Sequence, residues 1–150
     1  MRFLPTALLS LVALSLTVGT AVGADGHAAR SMTVHEHVTL KLVKRTGASK
    51  FEHAGRATGT VGGTVRSKIT LLHSVAVEGT VTIATNRGQL RLKIKGRARK
   101  VTIRSPFDGK ATIITGTGRY AHARGTGTFN GIVNRSTWAA EIDARGTFTY

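Results

Sequence analysis

The chain has 150 residues, with 22 Lys+Arg against 7 Asp+Glu and a formal net charge of +15. It contains no cysteine, which excludes a disulfide scaffold, a thiolate zinc site, a cysteine nucleophile and a lipidated cysteine anchor. Its apolar content of 41% is spread too evenly for a basic disordered tail, and its length suits one domain.

The first segment reads as a targeting signal. Arg2 supplies a positive start, Leu8 to Val18 form an apolar core, and Val22-Gly23-Ala24 place small residues before a cleavage point. The core is short of the ~20 apolar residues that a membrane span needs. Residues 1–24 are therefore expected to be a cleaved signal peptide on a secreted protein, and 25–33 a flexible N-terminus ahead of a domain at 34–150. Removal of Arg2 with the leader would leave a net charge of +14.

From residue 34 onward the pattern has a period of two. Residues 25–150 contain 16 Gly and 19 Thr, too much glycine for a stable helix at ~1 kcal/mol each. Strands are predicted at 34–44, 51–61, 65–73, 77–86, 89–99, 101–105, 110–115, 123–133 and 138–150. Turn signals fall at Thr46-Gly47, Gly62-Gly63, Arg87-Gly88, Pro106–Gly109 and Gly116–Gly118. In the last strand Trp138, Ala140, Ile142, Ala144, Gly146, Phe148 and Tyr150 share one face, with Glu141, Asp143 and Arg145 on the other. Many short strands with a small, apolar face suggest an antiparallel barrel or a sandwich. Closure into a barrel suits the inward glycines and removes exposed edges.

Two hairpin registers follow from the turns. A loop at Gly62-Gly63-Thr64 pairs Val61 with Val65 and sets His53 across from His73, both on the apolar face. A turn at Arg87-Gly88 sets Ile83 against Leu92 and Val81 against Ile94.

Polar candidates are few. Arg91, Lys93, Lys95, Arg97 and Arg99 alternate along one strand and form an outward stripe about 27 Å long. Such a stripe suits an anionic polymer or surface, or serves only as a solvated face. Sequence-specific nucleic-acid recognition does not fit, because no aromatics interleave to stack bases. His35-Glu36-His37 places two histidines on the outer face of a strand, without the following glutamate that a cupin-type metal pair requires. Glu36 lies instead among Val34, Val38, Leu40 and Leu42. An inward carboxylate of this kind can act as a general acid or base, or pair with an inward base. The register puts it opposite Gly59, far from His53 and His73. Those three residues are the only catalytic candidates, and no cofactor is expected. Cleavage after Ala24 would expose Asp25-Gly26-His27, whose α-amine, amides and imidazole can bind Cu(II) or Ni(II) in a square plane. Asn134-Arg135-Ser136 matches a glycosylation sequon, and no nucleophile elbow brings Ser, His and Asp together.

The segment Ile113–Gly125, with Thr115-Gly116-Thr117-Gly118-Arg119-Tyr120-Ala121-His122-Ala123-Arg124-Gly125, resembles the G-G-T-G-x-F/Y-x-x-A-x-G turn of the allene oxide cyclase and dirigent barrel superfamily. Thr115 stands where that signature has its first glycine. The wider Gly/Thr-rich strand pattern is similar to that of small secreted bacterial proteins of this type. The resemblance implies an eight-stranded antiparallel barrel, commonly an oligomer, whose Gly116, Thr117, Gly118, Tyr120, Ala123 and Gly125 form a turn with the aromatic packed beneath it. Plant members act without metals or bound cofactors on hydrophobic small molecules. None of their catalytic residues maps onto this chain, because the shared residues form a structural turn. The expected role is a non-catalytic binding or surface-associated barrel, with an anionic partner outside and a small apolar ligand inside. The alternatives are a cofactor-free cyclase or dirigent-type enzyme using an interior carboxylate, and a purely structural barrel.

Overall fold

The period-two pattern becomes eight antiparallel strands in a computed structural model that describes residues 29–150. The expected leader, its cleavage point and the Asp25-Gly26-His27 terminus lie outside the described residues. The strands are β1 (Ser31–Arg45), β2 (Lys50–Gly59), β3 (Gly63–Leu72), β4 (Ala76–Thr85), β5 (Gly88–Ala98), β6 (Arg104–Gly116), β7 (Arg124–Asn134) and β8 (Ala140–Thr149). Each pairs with its neighbour in sequence, and β8 returns to β1, so the barrel is closed. β1 begins at Ser31, before the expected start at 34, because Met32 pairs with Phe148 and Val34 with Gly146.

Face assignments follow the sequence pattern, whereas several registers do not. His53 stands opposite Ser67, not His73, a shift of six residues in the β2–β3 hairpin. The cause lies on β1. Thr60 N donates to the His35 carbonyl at 3.0 Å, and the Glu36 carboxylate accepts from Val61 N and Gly62 N. These bonds hold 60–62 toward β1, so β3 starts pairing only at Gly63. In β4–β5 the turn is Asn86-Arg87, and Ile83 faces Leu90 where Leu92 was expected. Both shifts are even, so inward residues stay inward.

Pro106–Gly109 is not a turn. These residues run through β6, which pairs Phe107 with Ala98 on one side and Gly131 on the other. The separate strand expected at 101–105 is therefore mostly a loop leading into β6. Gly109 serves the inner wall: a Cβ there would stand 2.2 Å from the Lys95 carbonyl oxygen and 2.4 Å from the Phe129 ring. The exposed apolar residues Val43 and Ile114 are the extra residues at the two register breaks, in β1 and β6. A bulge turns its unpaired side chain away from the regular alternation.

One end of the barrel is plugged. A short 3-10 turn, Gly118–Tyr120, follows β6 and buries Tyr120. Gly118 adopts φ 58°, which only glycine takes without strain. Tyr120 packs edge-on against Phe148 and Tyr150, at 6.2 and 6.1 Å between centroids. Arg119 adds a bond to the Tyr150 hydroxyl at 2.8 Å.

Gly109→Ala should destabilise the fold by about 1–3 kcal/mol, the usual range for overpacking a filled site. In urea the expected outcome is a lower midpoint with an unchanged slope, and an unchanged midpoint contradicts the packing at this wall.

Candidate functional site

The inward side chains leave a space between the two ends. A cavity of about 220 Å³ runs from Glu36 and Phe148 near the plug to Trp138 and Arg135 at the opposite rim. Its wall is made of alternate residues from all eight strands, such as Val65, Val81, Leu92, Ile113 and Ile142. Small residues at Gly127, Ala144 and Gly146 thin one side. The aromatics do not fill the middle. Phe148 belongs to the plug, Phe129 packs on Phe107 at 6.1 Å, and Trp138 stacks on Phe51 at 4.2 Å at the rim.

Glu36 is buried at 6% exposure, as its parity predicts, and it faces Gly59. Its carboxylate accepts from Val61 N, and from Gly62 N at 3.2 Å. Both oxygens are thus committed to the β2–β3 turn, where they accept from two partly buried backbone donors. Glu36 and His53 are six residues apart along β2's register with β1 and do not meet.

His53 is buried, and a carbonyl fixes its tautomer. Nε2 lies 3.0 Å from the Trp138 carbonyl oxygen. That oxygen can only accept, so Nε2 carries the proton. Nδ1 then accepts from the Ser67 hydroxyl at 3.3 Å. Burial pushes the imidazole pKa below its ordinary 6.5, and the bond to Trp138 offsets this in part. His73 is not a partner. It sits exposed in the β3–β4 turn at φ 49°.

The rim beside His53 carries unusual backbone. His73, Ser74 and Trp138, at φ 49°, 62° and 58°, are the described non-glycine residues with left-handed conformation. All three lie at this end. Such conformations persist only where neighbours over-determine them. Here Arg135 does much of the bracing. Its Nε donates to the Ser105 hydroxyl at 2.9 Å and its Nη2 to the Ser74 carbonyl at 2.7 Å. Its guanidinium also lies 5.9 Å from the Trp138 ring centroid. Ser105 is fully buried and bonds back to the Thr102 carbonyl at 2.6 Å.

Outside the barrel, Arg91, Lys93, Lys95, Arg97 and Arg99 all point outward and are exposed. The stripe is not uniform. Lys95 pairs with Glu78 at 3.4 Å, and Arg99 pairs with Asp108. Arg91 and Lys93 instead face Thr82 and Thr80 on one side, Thr115 and Thr112 on the other. Beyond Thr82 and Thr80 stand Arg66 and Lys68. His35 and His37 also face outward, and His37 bonds Asp143 across the β1–β8 seam at 2.9 Å. Among the described residues no three His, Asp or Glu side chains gather to hold a metal ion. The turn residues Gly116, Thr117, Gly118, Tyr120, Ala123 and Gly125 form the plug and its approach. A Cβ on Gly116 would stand 2.0 Å from the Tyr120 carbonyl oxygen, and Thr117 Oγ1 accepts from Gln89 N at 3.1 Å.

Sequence reasoning missed Ser67 and Arg135. Ser67 was legible by parity, since it shares the inward face with Val65 and Ile69. Arg135 carried no signal, because it lies in a loop and meets Trp138 and Ser74 only in three dimensions. Searches against protein-family models, curated proteins and solved structures found no match to this chain.

The His53 pKa has a consequence for stability. The folded state binds this proton less readily than the unfolded chain, whose histidines titrate near 6.5. The unfolded state holds more protons in that window, so stability rises with pH across it. Stability from His53 is therefore complete above pH 6.5 and is lost as pH falls toward the lower folded value. Denaturant unfolding at a series of pH values should show this slope in the wild type and a flatter one in His53→Gln. Equal slopes would remove His53 as the cause.

Proposed function

We propose that this chain is a secreted, non-catalytic binding barrel whose interior takes a small apolar ligand. The continuous apolar cavity carries this reading. A closed wall of aliphatic side chains favours apolar over polar guests, at about 0.8 kcal/mol for each buried methylene. The inward polar groups support binding over catalysis. Glu36 is engaged by two backbone donors, and both nitrogens of His53 have partners. A general acid or base needs a lone pair or proton directed at the reacting atom. The likeness of Thr115–Gly125 to the allene oxide cyclase and dirigent turn is compatible with a ligand-holding barrel.

Filling the space tests the reading. Ala111 lines the cavity between Ile94 and Gly127. Toluene, an apolar guest of about the size the cavity offers, should bind the wild type with a heat that calorimetry reads. Ala111→Phe should weaken that binding at least about tenfold, or 1.4 kcal/mol, while the protein remains folded by circular dichroism. Equal affinity in both would place the toluene elsewhere and remove the interior as a site.

A second reading concerns the outer wall. Arg66, Lys68, Arg91 and Lys93 form a basic field with only Thr80 and Thr82 between them, and we propose it as a face for an acidic polymer. Lys68 is 3.8 Å from Glu52 at an exposed position, a pairing that water screens. Neutralising Arg66, Arg91 and Lys93 together should move elution from a heparin column to markedly lower salt. Neutralising Lys50, Arg104 and Arg124 changes the net charge equally and should move it less. Identical shifts would mean that only total charge matters.

A further inference from the structure

We propose that the rim formed by Arg135, Trp138 and the His73-Ser74 turn is a head-group site, so that the barrel's ligand is an amphiphile with one carboxylate-class anionic head. The inference rests on the cavity reading above and adds the chemistry of the ligand's polar end. Four observations carry it. The cavity is apolar along its walls, yet the residues at one end of it include Arg135. Arg135 is half-buried and oriented by Ser105 and Ser74, which together use only two of its N–H donors. A guanidinium has five such donors in a planar fork that matches the geometry of a carboxylate. Finally, no acid among the described residues lines this end of the cavity. Glu36 lies toward the plug and is engaged there, and Arg145 points to the outer wall.

The rest of the rim serves that guanidinium. Ser105, fully buried, holds it from below through its hydroxyl. Trp138 lies between the two polar systems, with its ring beside Arg135 and its carbonyl on His53. His53 and Ser67 are thus positioning residues that keep the Trp138 backbone at φ 58°. The opposite end cannot receive a head group, because Tyr120, Phe148 and Tyr150 close it. Cavity size limits the body. A space of about 220 Å³ corresponds to roughly seven water-sized volumes at ~30 Å³ each, hence to an alkyl body of about seven or eight carbons.

Trp138 is the chain's one tryptophan, so its emission reports occupancy of the rim directly. The probes are octanoate and 1-octanol, which share a chain length and differ in the head. Titration of the wild type at neutral pH should change Trp138 emission with both and show octanoate binding at least about tenfold more tightly, 1.4 kcal/mol. Arg135→Gln should bring the two within about twofold by weakening octanoate while leaving octanol unchanged. Calorimetry on the same pairs supplies a second readout should the substitution alter the fluorescence itself. Arg124→Gln, at the plugged end, makes the same charge change and should keep the octanoate preference. A preference that survives Arg135→Gln, or that Arg124→Gln removes equally, would overturn the proposal. Equal binding of octanoate and octanol by the wild type overturns the head-group site and leaves the apolar cavity standing. Binding of neither overturns both.

Discussion

Closure of the sheet on itself is the constraint from which the other features follow. When β8 pairs with β1, every strand has two neighbours and no row of backbone donors and acceptors is left at an edge. Eight strands closed in this way enclose an interior wide enough for side chains or for one small guest. In this chain the inward positions of β5 to β8 mix aliphatics, aromatics, alanines and glycines. Phe129 leans over Gly96 and Gly109, and Phe107 over Gly131. The large rings are drawn to the wall, and the centre is left as a cavity.

The buried polar groups divide the barrel into two functional ends. Near the plug, Glu36 accepts from the turn at 60–62 and so sets where β3 begins pairing. At the far rim, Ser67, His53 and the Trp138 carbonyl form one chain of hydrogen bonds, and Ser105, Arg135 and the Ser74 carbonyl form another. Every fully buried side-chain donor or acceptor among the described residues has a partner. Polar burial in this fold therefore does structural work first. Arg135 keeps donors beyond those that Ser105 and Ser74 use, at the end opposite the Tyr120 plug.

The outer wall shows how parity and register act on different properties. Parity turns Arg91, Lys93, Lys95, Arg97 and Arg99 to solvent on β5. Register decides which of them meets an acid. Glu78 falls beside Lys95, and Asp108 reaches Arg99, while Arg91 and Lys93 fall beside threonines. The field is consequently concentrated on one half of the stripe and extended sideways by Arg66 and Lys68.

Much of this was legible in the residues. Alternation identified most of the strands, the inward Glu36 and His53 and the outward basic stripe, and it suggested closure; it split β6 at Pro106–Gly109, and the count of eight came from the resemblance of Thr115–Gly125 to a known turn. Faces were legible because the direction of a side chain is a local property of the extended backbone, repeating every second residue. Even register shifts of two and six residues left those assignments intact. Partners are another matter. His53 meets Ser67 and Trp138, the latter 85 residues away, and Arg135 meets Ser74 across 61 residues. Such meetings depend on where each loop closes, and loop closure here depends on bonds such as Glu36 to the turn at 60–62. The sequence by itself determined which face most strand residues take and how strongly the chain is charged. Only the tertiary structure decided that a cavity remains inside and that a guanidinium stands at its rim, because both depend on contacts between segments far apart in the chain.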